Sequence, residues 1–199
     1  MYERRKLSDQ QRQQIIASRK KNLRPWHSPP HFESEGSHGF HLSAACYEHL
    51  PIMGVSPSRM EEFETLLIQA LTSEGCSLHA WCVLPNHWHA LIHTVGLKGV
   101  VSNIGKMHGS TSFRWNRIDE ARGRKCWHRC ADRRMRSDRH FYVARNYIHN
   151  NPVNHGYVGK WEEWPFSSAS DHISKVGREA VTDEWKKYPI LNMGKGWDD

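Results

Sequence analysis

No apolar run in the sequence approaches the roughly 20 residues that cross a bilayer, so a membrane-spanning helix is not expected. Met1 leads straight into Arg4, Arg5 and Lys6 without the apolar stretch of a secretory signal. Cysteine is scarce and odd in number: Cys46, Cys76, Cys82, Cys126 and Cys130. That count argues against a disulfide framework and for a reduced, cytoplasmic setting. There is no Walker-type phosphate loop and no internal repeat. Apolar residues make up 38% of the chain and mean hydropathy is -0.76, which leaves a modest core with charged extensions. At 199 residues, one domain with attached arms is the expected layout.

Positive charge is what the chain has in excess. Its net charge is +7 and its pI about 9.3, so an acidic partner is expected, most often nucleic acid. The excess sits in two zones. Residues 1–25 hold eight Lys/Arg against two acids, and residues 114–145 hold eleven against four, so the remainder is net acidic. Within the second zone, Arg122, Arg124, Lys125, Arg129, Arg133, Arg134 and Arg136 are candidates for gripping phosphates.

The order of elements reads as α+β. Residues 1–24 suit a basic helix with Ser8 as a cap, and residues 25–37, with three prolines, suit a linker. Phe40 to Cys46 reads as a strand. Ser56-Pro57 opens a helix whose apolar positions Met60, Phe63, Leu67, Ala70 and Leu71 recur at helical spacing. Leu78 to Leu84 and His87 to Thr94 read as a hairpin turning at Pro85-Asn86. A second helix follows over Leu97 to Trp115, a fourth strand over Cys126 to Met135, and a third helix from Ser137 or Asp138 to about Asn150. Pro152 is the expected stop, because the residue before a proline avoids the α region. Beyond Gly156 little periodicity is visible. The simplest assembly is a ferredoxin-like antiparallel sheet of four strands with packed helices, the arrangement also used by RNA-recognition domains. The expected boundaries are an arm and linker over 1–37, a domain over 38–175 and a tail over 176–199.

Asn86-His87-Trp88-His89 carries the strongest chemical signal. Side chains two apart on a strand share a face, so His87 and His89 can reach one metal ion while Trp88 packs behind them. His93 falls on the same face and reads as a surface histidine or a further ligand. On the third helix, Val143, Tyr147 and Asn151 are four apart and share a face. Cys126, His128 and Cys130 would share a strand face, but structural zinc wants four ligands and no second cysteine pair matches. Trp88 and Trp127 are candidates for stacking on bases, with core packing as the default.

Three blocks together resemble the single-tyrosine transposases of the HUH nuclease class, and most closely the branch associated with repetitive extragenic palindromes. They are Leu84-Pro85-Asn86-His87-Trp88-His89-Ala90-Leu91-Ile92, Tyr147-Ile148-His149-Asn150-Asn151-Pro152-Val153 and Trp164-Pro165-Phe166-Ser167-Ser168. The resemblance runs from about His38 to His172. It implies a ferredoxin-like fold and metal-dependent cleavage and transfer of single-stranded or hairpin DNA through a 5′-phosphotyrosine. Position by position it implies His87, His89 and Asn151 as metal ligands and Tyr147 as nucleophile, with Mg²⁺ or Mn²⁺ as the ion. It further implies palindromic-repeat DNA as partner, with Arg124, Lys125, Arg129, Arg133, Arg134 and Arg136 as contacts, no membrane, and a monomer or homodimer in the bacterial nucleoid.

Two other readings follow from the same residues. The charge and the aromatics also suit a non-catalytic module on an RNA-recognition-like sheet, although no Lys/Arg-Gly-Phe-type motif lies on a strand. A replication initiator or relaxase of the same class often carries a second tyrosine. Tyr142, five residues before Tyr147, is off its helix face.

Overall fold

Alternation of small or apolar residues with histidines makes two strands the centre of the fold. β1 (His38–Ala45) and β3 (His87–Thr94) pair antiparallel along their full length, with Ser43 opposite His89 and His41 opposite Leu91. β2 (Cys76–Val83) and β4 (Ala131–Arg134) are the edges, giving the order β2-β3-β1-β4. The computed structural model describes residues 36–72, 75–191 and 193–194, together with Ser8 and Gln10. The helix expected over 1–24, and most of the linker, lie outside the described residues.

Helices α1 (Pro57–Leu71) and α2 (Leu97–Ile118) cover one face of the sheet. Ser56 caps α1 by accepting a hydrogen bond from the Arg59 amide at 3.2 Å, as its sequence predicts. Phe40, Leu42, Trp88, Ala90 and Ile92 point into this layer against Phe63, Leu67, Ile104 and Trp115. His108 is buried in it, stacked on Trp127 at 4.2 Å, and accepts a hydrogen bond from the Trp88 indole at 3.2 Å. Burial drives the His108 pKa down to about 3, so the ring stays neutral. Arg59 locks the far end. It donates to Asp119 and to the Ile52 carbonyl, and Arg124 closes on the same carboxylate at 2.6 Å.

The other face carries α3 (Asp138–Asn154). Ala144, Tyr147 and Ile148 pack on Ala80, Cys82, Leu84 and Leu91. The helix runs one turn past its expected stop, with Pro152 inside it. A proline in a last turn forfeits one hydrogen bond and leaves the rest of the helix intact. The end is set by Gly156, at φ +71: the Gly156 amide bonds the Val153 carbonyl and the Tyr157 amide bonds the Pro152 carbonyl, both at 2.9 Å. That is a Schellman closure.

Two expectations are corrected at the edges. β4 holds only four residues, and the stretch from Cys126 to Cys130 is irregular apart from a bridge between Trp127 and Cys46. The Cys126 thiol points to Asn116 and Arg124, the Cys130 thiol to the Ala131 carbonyl, and His128 accepts from the Glu48 amide. Among the described residues no three His, Cys, Asp or Glu side chains converge as a metal group. The region after Gly156 is also more ordered than its periodicity suggested. Trp164 to Ser168 runs beside β2, where the Val83 amide bonds the Phe166 carbonyl at 2.8 Å and the Trp81 amide bonds the Ser168 hydroxyl at 2.9 Å. Helices α4 (Ala169–Val176) and α5 (Arg178–Lys187) follow. Arg145 of α3 holds Glu184 of α5 in a two-pronged ion pair, and Ile190 and Met193 pack on the Tyr147 layer. No helix among the described residues is long and apolar enough to cross a membrane.

Candidate active site

The hairpin turn and the last two turns of α3 meet on the α3 face of the sheet. The turn is tight: the Leu84 amide bonds the His87 carbonyl at 2.8 Å. His87 and His89 project from one face of β3, their ring centroids 5.1 Å apart, while Trp88 is buried in the opposite layer. Tyr147 and Asn151 come down from α3. The Tyr147 ring stands edge-on to His89 at 5.3 Å, and the Asn151 amide oxygen lies 3.0 Å from His87 Nε2. All four side chains are buried. The sequence-derived quartet is therefore one cluster.

Hydrogen bonds around the cluster orient its ring nitrogens. His87 Nδ1–H donates to the Asn86 side-chain oxygen at 2.8 Å, and the Asn86 amide nitrogen donates to the His49 carbonyl at 3.1 Å. With Nδ1–H committed, His87 Nε2 carries a lone pair, and it faces an amide oxygen. A ring nitrogen and an amide oxygen at that distance can share one cation. Adjacent ligands each roughly 2.1 Å from one octahedral ion stand about 3.0 Å apart, the spacing found here. Asn151 Nδ2 is buried without a hydrogen-bond partner among the described residues, as a side chain held by its oxygen would leave it. A site of two imidazoles and one amide oxygen therefore suits a divalent cation.

Three histidines that the sequence reading did not single out border the cluster. His41 on β1 lies 3.1 Å from His89 Nδ1, buried, with its ring 6.0 Å from Tyr147. For His89 Nε2 to hold a lone pair, Nδ1–H must donate to His41 Nε2. His155, just past α3, stands edge-on to His87 at 4.8 Å, and His49 lies 6.5 Å away. His49 and Glu48 both have positive φ, 53 and 59. Strain of this kind in non-glycine residues gathers at functional sites. Gly194 packs so tightly on Tyr147 that a side chain there would collide with the ring.

The basic zone divides. Arg124, one of the expected DNA contacts, donates to Asp119 and Asn116 within the fold. Together with Arg59 it holds the Asp119 carboxyl down at about 2, chiefly through the Arg59 hydrogen bonds. Lys125 lies over the Tyr47 ring at 4.5 Å. Arg129, Arg133, Arg134 and Arg136 are exposed. Although Arg133 is exposed as a residue, its guanidinium is partly shielded from water, which lowers it from its ordinary value; Tyr147 opposes that by its charge, which places the two within electrostatic reach. His93, expected as a surface residue or ligand, bonds His79 at 3.0 Å away from the quartet.

Fold and site define a ferredoxin-like domain in which a histidine pair on a strand meets Tyr147 of a helix. The family model described as "Transposase IS200 like" matches residues 55–151, from the start of α1 through Tyr147 and Asn151. The REP-associated tyrosine transposase of Escherichia coli (strain K12) is 28% identical over 115 residues, 55% of this chain; the chain spans 64% of that relative's length. A solved structure described as "Structure of the REP associates tyrosine transposase bound to a REP hairpin" matches 73% of this chain and 84% of its own, with a TM-score of 0.58 at 17% identity. Over residues 55–151 the chain is similar to IS200-like transposases, and it shares the fold of the solved structure.

Proposed function

We propose that this protein nicks and rejoins single-stranded or hairpin DNA, palindromic repeats in particular, through a covalent tyrosine intermediate. The observation that carries the reading is the convergence of His87, His89, Asn151 and Tyr147 from a strand and a helix onto one buried point. His87 Nε2, His89 Nε2 and the Asn151 oxygen are the groups that would hold Mg²⁺ or Mn²⁺. A divalent cation there offsets the charge on a non-bridging phosphate oxygen and makes phosphorus more electrophilic.

Tyr147 Oη attacks that phosphorus. The phosphorus–O3′ bond breaks, the phenolic proton leaves to solvent, and the departing oxygen takes up a proton to become a free 3′-hydroxyl. The 5′ side stays on the enzyme as a phosphotyrosine. A phenol has a reference pKa near 10, and a cation held there would favour attack by Tyr147 as phenolate. The new ester keeps the phosphodiester's bond energy, and an incoming 3′-hydroxyl can reverse the step, joining two strands without a nucleotide cofactor. Arg129, Arg133, Arg134 and Arg136 hold the DNA backbone. The nuclease unit is assigned to residues 38–175.

The test is adduct formation between the full chain and a hairpin oligonucleotide with Mn²⁺ or Mg²⁺ present. Tyr147→Phe should give no adduct. His87→Ala and His89→Ala should lower cleavage by about a hundredfold or more while hairpin binding stays near wild type. An adduct in Tyr147→Phe would remove the nucleophile assignment. Equal loss of binding in the histidine variants would assign them to structure.

A further inference from the structure

A second opening lies on the same sheet face and the same helix as the quartet, toward the start of α3. It is an open cavity of 480 Å³ lined by His38, Gly39, His79, His93, Phe141 and Tyr142, among others. Nothing in the proposed chemistry uses it.

Three features make it a built recess. First, β2 carries a bulge there. Leu78 pairs with Ile92 and Ala80 with Leu91, so His79 is an extra residue swung out of the ladder. Bulges re-aim single side chains beside functional sites. Second, the side chains form a ring-lined wall. His79 Nε2 and His93 Nδ1 meet at 3.0 Å, the Phe141 ring lies 5.0 Å from His93, and His79 stands edge-on to Phe141 at 5.2 Å. Third, the floor is a glycine. A methyl group on Gly39 would press on Met135 at 3.2 Å and on His93 Nε2 at 3.3 Å.

Aromatic faces combined with imidazole donors and acceptors suit a planar, heteroatom-edged ring. The lining holds both Arg145 and Asp138; outside it Arg134 reaches the His38 ring at 3.0 Å, and Arg136 follows on the connection into α3. Tyr142 lies five residues before Tyr147 on α3, about 7.5 Å along the axis. At the 3.4 Å rise of a stacked strand that is about two nucleotides.

We propose that this cavity receives one unpaired base of the DNA strand, about two nucleotides from the phosphate that Tyr147 attacks, stacked on Phe141 with its edge read by His79 and His93. The inference rests on the proposed nuclease reading. It makes the protein selective for an unpaired nucleotide at a fixed distance from the cleavage point.

The test is an equilibrium binding scan with the full chain in metal-free buffer, read by fluorescence anisotropy. The probes are hairpin oligonucleotides with a single-stranded flank, each carrying one abasic site at a different flank position. In the wild type, one position should lose about five- to a hundredfold in affinity, the range for one stacked base. In His79→Ala and in Phe141→Leu that loss should shrink to near unity, while the other positions respond as before. His79 is exposed, so its variant tests the contact without risk to the core. Equal penalties in variants and wild type, or no position-specific penalty at all, would overturn the proposal. Because the scan needs no cleavage, a hairpin that binds with the expected pattern but forms no adduct would sink the nuclease reading alone.

Discussion

At the residue scale, the cluster depends on two side chains that fix which ring nitrogen of each histidine faces inward. Asn86 takes the Nδ1–H of His87 and is itself anchored on the His49 carbonyl. His41 Nε2 lies 3.1 Å from His89 Nδ1, placed to take its N–H. Losing such a partner typically costs a metal site about 10- to 100-fold in affinity. His41→Leu and Asn86→Ala should therefore weaken Mn²⁺ binding, measured by calorimetry, by about that factor. His41→Gln keeps an acceptor and should recover part of it. Unchanged affinity in both losses would leave these residues as packing only. Spacing put His87 with His89, and Tyr147 with Asn151, on shared faces, and only the resemblance to the transposases joined the two pairs. His41 was not. It meets His89 diagonally across the β1–β3 ladder, opposite Leu91 rather than opposite His89, and that contact exists only once the register is set.

At the element scale, α3 shows what local sequence rules miss. Pro152 looked like a stop, yet the helix holds α geometry through it, and so Asn151 stays one turn below Tyr147. Had the helix ended at residue 150, Asn151 would have left the helical face and the amide oxygen would not reach His87. The true terminator is Gly156, whose left-handed backbone lets the Pro152 and Val153 carbonyls find partners. A side chain at Gly156 meets open space, so the penalty for Gly156→Ala is conformational alone. It should destabilise the protein by about 1–2 kcal/mol in denaturant unfolding. It should also weaken Mn²⁺ binding, because Asn151 lies in the turn that this closure holds. Stability lost with metal affinity intact would show that the end of α3 and the ligand position are not coupled. The long amphipathic helices and the hairpin were readable from periodicity. The short polar helices α4 and α5 carry too few apolar positions for a pattern, and their order rests on tertiary pairs such as Arg145–Glu184.

At the scale of the whole molecule, charge is where sequence and structure divide most. Composition located the basic zone, but it ranked its arginines as equals. The fold separates them: Arg124 is spent on Asp119 at the junction of α1 and α2, whereas Arg134 and Arg136 stand exposed beside the second cavity. Counterion release turns this into a measurement. Each phosphate contact contributes about 0.7 to the salt slope of single-strand binding and about 0.9 for duplex. Arg134→Ala and Arg136→Ala should each reduce the slope of log affinity against log salt for the hairpin by about that amount, with unfolding midpoints near wild type. Arg124→Ala should do the reverse, leaving the slope intact and lowering the midpoint, because Asp119 loses one of its two guanidinium partners. A reduced slope in Arg124→Ala would return that residue to the DNA surface. Unchanged slopes for Arg134→Ala and Arg136→Ala would move the phosphate track away from the β4–α3 junction, and with it the route by which a strand could run from Tyr147 to the second cavity.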